Sequence, residues 1–159
     1  MRKRSSYRPR PVLANPLAYV IEGMKPVAHH DSYLIDLKIK NHGAMTALTQ
    51  GRATRSDMDV LIAMNNITEA LWRMGFGKEF DDVMRGGHQA LVEIANRGAA
   101  TNRFIVRASE MNALNDLMDL HDAQMDVITI KDMEGALALA KSEVKAGRAT
   151  RLIAKGLSK

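Results

Sequence analysis

Ser56-Asp57-Met58-Asp59-Val60-Leu61-Ile62-Ala63-Met64-Asn65-Asn66-Ile67-Thr68-Glu69-Ala70-Leu71-Trp72-Arg73-Met74 is the stretch on which the fold turns. Val60, Ala63, Met64, Ile67, Leu71 and Met74 recur at the three-and-four spacing of one helical face, and Leu61, Ile62 and Trp72 widen the stripe. A helix apolar over so much of its girth needs neighbours on several sides, so it is expected at the centre of the molecule. Ser56-x-x-Asp59 reads as its capping box, with the shorter acid, and Gly75 and Gly77 as its stop.

Working outward, helix is permitted almost everywhere. All four prolines (Pro9, Pro11, Pro16, Pro26) fall in the first 26 residues. Proline removes a backbone donor and clashes one turn back, so its absence afterwards leaves the chain free to stay helical. The remainder is rich in Ala, Leu, Met, Asp, Lys and Asn, with few β-branched runs, which argues against sheet. Pro16 suits the first position of a short helix ending at Gly23. A long helix follows from Asp31 to Gln50, capped by Asp31 or Ser32, with Leu34, Leu37, Met45 and Leu48 inward and Gly51 as stop. After the central helix, Lys78–Gly98 carries Phe80, Val83, Met84, Leu91, Ile94 and Ala95 on one face, and Gly86-Gly87 in its middle implies a kink or a close crossing. Ser109–Val127 and Thr129–Ala146 complete the set, the last with Thr129-x-x-Asp132 as cap and Gly147 as stop. Phe104-Ile105-Val106 is the one stretch with strand character. The fold class read here is all-α: a single bundle of five or six helices, with ten internal methionines serving mostly as core filler.

The charges divide the chain into three parts. Residues 1–12 hold Arg2, Lys3, Arg4, Arg8 and Arg10 with no acid, and residues 148–159 hold Arg148, Arg151, Lys155 and Lys159 with none. The body, 13–147, has 14 basic against 18 acidic residues, so a chain of formal charge +5 is a mildly acidic bundle with two cationic ends. Residues 1–12 read as an extended arm. Unpaired Lys and Arg at such ends attract phosphate or acidic protein surfaces, and Tyr7 among the arginines adds a ring on which a base can stack. The other reading of the same charges is a pair of solubilising tails.

Length fits one domain able to bury about two-thirds of its unfolded surface. The absence of cysteine excludes disulfides, thiolate metal sites and cysteine nucleophiles. Val12 to Ile21 is broken by Pro16 and lacks a cleavage pattern, and no window nears the ~18 apolar residues of a membrane span, so a soluble cytoplasmic protein is expected.

The motifs that carry chemistry do not form. Gly75-Phe76-Gly77-Lys78 lacks the upstream glycine, the hydroxyl residue and the preceding strand of a phosphate loop. His29-His30-Asp31 and His42 have no zinc-site spacing, and there is no Gly-x-Ser-x-Gly elbow. Ala47 and Gly51 have helix-turn-helix spacing, but Asp57 and Asp59 would open the recognition helix against DNA phosphates. The expectation is no catalytic residue, no metal and no cofactor. Gly-Arg-Ala-Thr-Arg occurs twice, at 51–55 and 147–151, each time after a helix, where shared stop chemistry explains the glycine.

One constellation remains, on the helix 109–127. Met111, Leu114, Leu117, Met118, Met125 and Ile128 gather on one side with His121 among them, while Asp119, Asp122 and Asp126 share the adjacent face with Asp116 at its margin. The face is either a site for a hard cation or a partner's arginines, or a solvated acidic surface beside a core histidine. On the second reading, which is the expectation here, His121→Leu should be tolerated.

Lys25-Pro26-Val27, His30-Asp31-Ser32-Tyr33-Leu34, Leu37-Lys38-Ile39-Lys40-Asn41-His42, Met45 to Arg55, Met111-Asn112-Ala113-Leu114 and Leu120-His121-Asp122-Ala123-Gln124 together resemble small uncharacterised proteins encoded by proteobacterial bacteriophages and integrated mobile elements. The resemblance implies an accessory function. It joins the charge pattern in a reading of non-specific nucleic-acid binding through Arg2, Lys3, Arg4, Tyr7, Arg8, Arg10, Arg148, Arg151 and Lys155. The alternative is inhibition of a host defence complex, in the manner of anti-CRISPR proteins, by binding a host protein or ribonucleoprotein; an enzyme of unknown reaction is a distant third. A homodimer is compatible with either of the first two, and no membrane partner is expected.

Overall fold

The computed structural model describes residues 16–29 and 31–149 of the chain. Six α-helices follow one another: α1 (Pro16–Gly23), α2 (Asp31–Thr49), α3 (Arg55–Met74), α4 (Asp81–Gly98), α5 (Ala108–Val127) and α6 (Ile130–Lys145). Single 3-10 turns stand at Val27–His29 and Lys78–Phe80. No regular strand occurs among the described residues. Phe104-Ile105-Val106 is a loop in which Phe104 is buried and the Ile105 carbonyl accepts from Arg97 Nη2 at 2.9 Å, so a side chain replaces the strand partner. Pro26 and Thr129 form one isolated bridge, flanked by Val27 N–H to the Ile128 carbonyl (2.9 Å) and Ile130 N–H to the Lys25 carbonyl (3.0 Å). These bonds fix the segment after α1 to the α5–α6 junction.

α3 touches α2, α4, α5 and α6, as its wide apolar girth requires. One core, including Leu48, Leu61, Leu91, Ile94, Leu114 and Leu117, fills the space between α2, α3, α4 and α5; a second, including Leu71, Met125, Ile128 and Met133, lies between α3, α5 and α6. Seven of the ten internal methionines (Met45, Met58, Met64, Met84, Met118, Met125, Met133) are buried. The inward face of α3 differs from the one its apolar residues trace. Met58, Leu61, Met64, Asn65, Thr68 and Leu71 are buried, whereas Ala63 and Met74 are exposed. The face turns because Asn65 and Thr68, polar and so not counted inward, take core positions. On α4, Phe80 likewise lies outside, 48% exposed, because it belongs to the 3-10 turn that precedes the helix. Gly86-Gly87 makes a close crossing: a Cβ on Gly87 would stand 2.6 Å from Leu117 Cβ.

The helix ends correct one assignment and explain a repeat. The cap of α3 is Thr54, not Ser56: the Thr54 hydroxyl accepts from Asp57 N–H, and the Asp57 carboxylate accepts from Thr54 N–H at 2.7 Å. Those bonds from Thr54, its backbone N–H foremost, hold the Asp57 carboxyl below the usual range. Thr54→Ala is expected to lower stability by about 1 kcal/mol and Ser56→Ala by a few tenths, read by urea denaturation; equal effects would contradict the assignment. The repeated Gly-Arg pair also has a structural account. Gly51 (φ +67°) and Gly147 (φ +75°) both turn left-handed; each donates to the carbonyl three residues back, and the following arginine N–H donates five back, to Ala47 and Glu143. Both are Schellman stops. The threonine of the first copy then caps α3; that of the second, Thr150, lies outside the described residues.

Candidate binding surfaces

His121 sits at the middle of α5, 1% exposed, because its apolar neighbours turn that face into the bundle. Its ring bridges two helices. Nδ1 lies 2.9 Å from Thr68 Oγ1 on α3, and Nε2 lies 3.3 Å from Asn41 Nδ2 on α2. The Thr68 hydroxyl donates its proton to the Met64 carbonyl (2.9 Å), so toward His121 it accepts. Nδ1 therefore carries the ring proton, and Nε2 accepts from Asn41. A second proton on Nε2 would confront the Asn41 amide donor. Burial acts in the same direction, driving the His121 pKa from 6.5 down to about 4, with opposition from Asp122 and small additions from His42 and Lys38. Both nitrogens are committed to neighbours. His121 is a neutral structural link between α2, α3 and α5.

The aspartates beside it divide in two. Asp122 Oδ2 lies 2.9 Å from His42 Nε2, and Asp126 Oδ1 lies 3.5 Å from Lys38 Nζ, so this pair docks α2. Asp116 and Asp119 edge an open depression of about 270 Å³ with Phe80, Val83, Leu120 and Ala123. Among the described residues no group of three or more His, Asp or Glu side chains is placed to hold a metal ion.

A larger groove, about 440 Å³, runs between α3 and α4, lined by Glu69, Trp72, Met84, Arg85, His88 and Gln89 with Asp81. Its charges are already matched, Arg85 to Asp81 (2.8 Å) and Glu69 to Arg73 (2.5 Å). Sequence reasoning missed His88, which meets buried Asn65 Nδ2 at 3.3 Å; no spacing marks it.

Of the basic residues assigned to nucleic acid, Arg2, Lys3, Arg4, Tyr7, Arg8, Arg10, Arg151 and Lys155 lie outside the described residues. Arg148 is described, and it belongs to the body: Nε and Nη2 hold the two Glu143 carboxylate oxygens at 2.9 and 2.8 Å. Glu143 also meets Arg73 at 3.3 Å, which continues to Glu69 and ties α6 to α3. The Arg148 bonds come first in holding the Glu143 carboxyl below its usual range. One edge of the Arg148 guanidinium thus holds the Glu143 carboxylate side-on, tying the turn after α6 to its last turn.

An apolar surface of the opposite kind lies at the end of the bundle where α1, the start of α2 and the end of α5 meet. Leu17, Val20 and Ile21 on α1, Met24 in the turn that follows it, Ile35 and Ile39 on α2, and Val127 are all 54–68% exposed. No helix of the described residues is long and apolar enough to cross a membrane. No protein-family model, curated protein or solved structure matches the chain.

Proposed function

We propose that the protein is a non-catalytic accessory protein of a phage or mobile element that binds nucleic acid, without sequence preference, through its basic terminal segments. The observation that carries the reading is where unbalanced charge remains. All 18 acidic residues fall between Glu22 and Glu143. Within the described body, Lys25, Lys38, Arg73, Arg85, Arg97 and Arg148 are each within 4 Å of a carboxylate. Arg2, Lys3, Arg4, Arg8 and Arg10 have no acid within their segment, and Arg151, Lys155 and Lys159 have none in theirs. Phosphates release counterions to such groups, and the salt dependence of binding counts them.

Fluorescence anisotropy with a labelled duplex tests this. Deleting residues 1–11 removes five basic groups, so affinity should fall sharply and the salt slope should flatten by up to about 4.5, at roughly 0.9 per phosphate contact. Unchanged binding by the truncated chain would overturn the reading.

A further inference from the structure

Leu17, Val20 and Ile21 follow the spacing of a helix face that packs against something, yet this face of α1 is exposed, as is Met24 in the turn after it. On α2, Ile35, Ile39 and Gly43 step every four residues along one stripe. Nothing lies within 4 Å of where a Cβ on Gly43 would stand, so a second helix has room to approach. Hydrogen bonds from the Lys25–Val27 segment to Ile128 and Ile130, and the Lys38–Asp126 ion pair, hold these elements at one end of the bundle. The seven apolar side chains leave on the order of 600 Å² open, the upper limit for the largest patch of an ordinary monomer. Two such faces together reach the roughly 1,200 Å² at which stable interfaces begin.

We propose that this face is the contact between two copies of the chain related by a two-fold axis. The charges around it select that occupant. Glu22, Asp36 and Asp126 are interspersed with Lys25, Lys38, Lys40 and Lys131, so both signs flank the face and no single-sign field repels its own copy. Glu22 pairs with Lys25 and Asp126 with Lys38. Asp36 and Lys40 are exposed, have no ion pair among the described residues, and lie on the same flank of the Ile35–Ile39 stripe. When two helices cross antiparallel about a two-fold axis, like flanks face each other in reversed order. With the axis at the level of Lys38, Asp36 comes opposite Lys40 of the partner subunit, and the pairing is made twice. The interface thus gives Asp36 and Lys40 the opposite charges that flank the same stripe in the second copy. Because α1 opens at Pro16, close behind the basic segment 1–12, the dimer also carries two such segments in one assembly; that consequence alone rests on the nucleic-acid reading.

Sedimentation equilibrium of the full, nuclease-treated chain from about 1 to 200 µM tests the proposal without nucleic acid, so its failure and the failure of nucleic-acid binding are separate results. The expected result is a reversible dimer. Ile35→Lys with Ile39→Lys should give a monomer with an unchanged helical circular dichroism spectrum. Asp36→Lys alone and Lys40→Asp alone should each weaken dimerisation at least about tenfold, and the two together should restore it. Since the chain has no cysteine, Ile39→Cys should cross-link on oxidation and Asn112→Cys, on the exposed side of α5, should not; this decides the matter even if the double lysine variant misfolds. A wild type that stays monomeric throughout, a dimer indifferent to the Ile and charge changes, or equal cross-linking at both cysteines would overturn the proposal. A monomer would pass the face to a foreign protein, as the host-complex reading requires.

Discussion

Lowering the pH from 7 to 4 should remove about 3 kcal/mol of stability through one side chain, His121. Its pKa is about 4 in the folded protein against 6.5 without burial, so below pH 6.5 the unfolded chain takes up a proton that the folded chain refuses. The sign follows. A depressed folded pKa makes the contribution complete above about pH 7 and progressively lost as pH falls through 6.5 toward 4, at up to about 1.4 kcal/mol per pH unit. The lowered carboxyls of Asp57, Glu110 and Glu143 act in the same direction but at lower pH, below the ordinary values of 3.8 to 4.5, so most of the window belongs to the histidine. Urea denaturation of the wild type and His121→Leu across pH 7.5 to 4.5 reads the effect as a difference. The variant should lack the slope between 6.5 and 4.5, and parallel profiles would contradict the buried neutral ring. The structure also reverses the expectation that leucine is tolerated. Replacing His121 strands the Asn41 amide and the acceptor side of Thr68, both buried, at a cost of about 1 to 3 kcal/mol at pH 7.5.

Two adjacent glycines should respond with opposite signs. A Cβ at Gly87 would stand 2.6 Å from Cβ, 2.7 Å from Cδ2 and 2.9 Å from Cγ of Leu117, which is itself fully buried. The near atoms include the root of that side chain, so a rotamer change cannot clear them, and α4 and α5 must separate. Gly87→Ala is expected to destabilise by about 2 to 3 kcal/mol. At Gly86 the nearest atom is Ala113 Cβ at 3.9 Å, ordinary contact. Gly86→Ala is expected to stabilise by up to about 1 kcal/mol, because the unfolded chain loses freedom and the helix gains a better former. Thermal denaturation of both variants checks this, and a shift of the same sign in both would show that the crossing is not at Gly87.

The helices were legible because their punctuation is local. Gly51, Gly75 and Gly147 each adopt the left-handed turn their position suggests, and Thr129 caps α6 with Asp132 as its spacing implies. What failed required knowledge of distant partners. Asn65 and Thr68 lay outside the apolar stripe traced on α3, yet they are buried, and His88 and His121, 23 and 53 residues away, meet the Asn65 amide nitrogen and the Thr68 hydroxyl. Arg148 counted as tail charge because charge counting sees neither Glu143 across its turn nor Arg73 on another helix. His121 was placed in the core by its position on α5, but its link to Asn41 spans 80 residues, and no periodicity reports it. The apolar α1 face escaped notice for the same reason: whether an apolar stripe is covered depends on what packs against it, and here α1 makes only slight contact with α6.

The central claim is that binding resides in the basic ends and not in the bundle. A titration of the ¹⁵N-labelled full chain with a short duplex, followed by amide chemical shifts, tests it most directly. Perturbations should concentrate in residues 1–12 and 151–159, fade with added salt, and leave His88 and the other residues of the Trp72 groove unmoved. Shifts centred on that groove or on the Asp116–Asp119 depression, with the ends unchanged, would contradict the account.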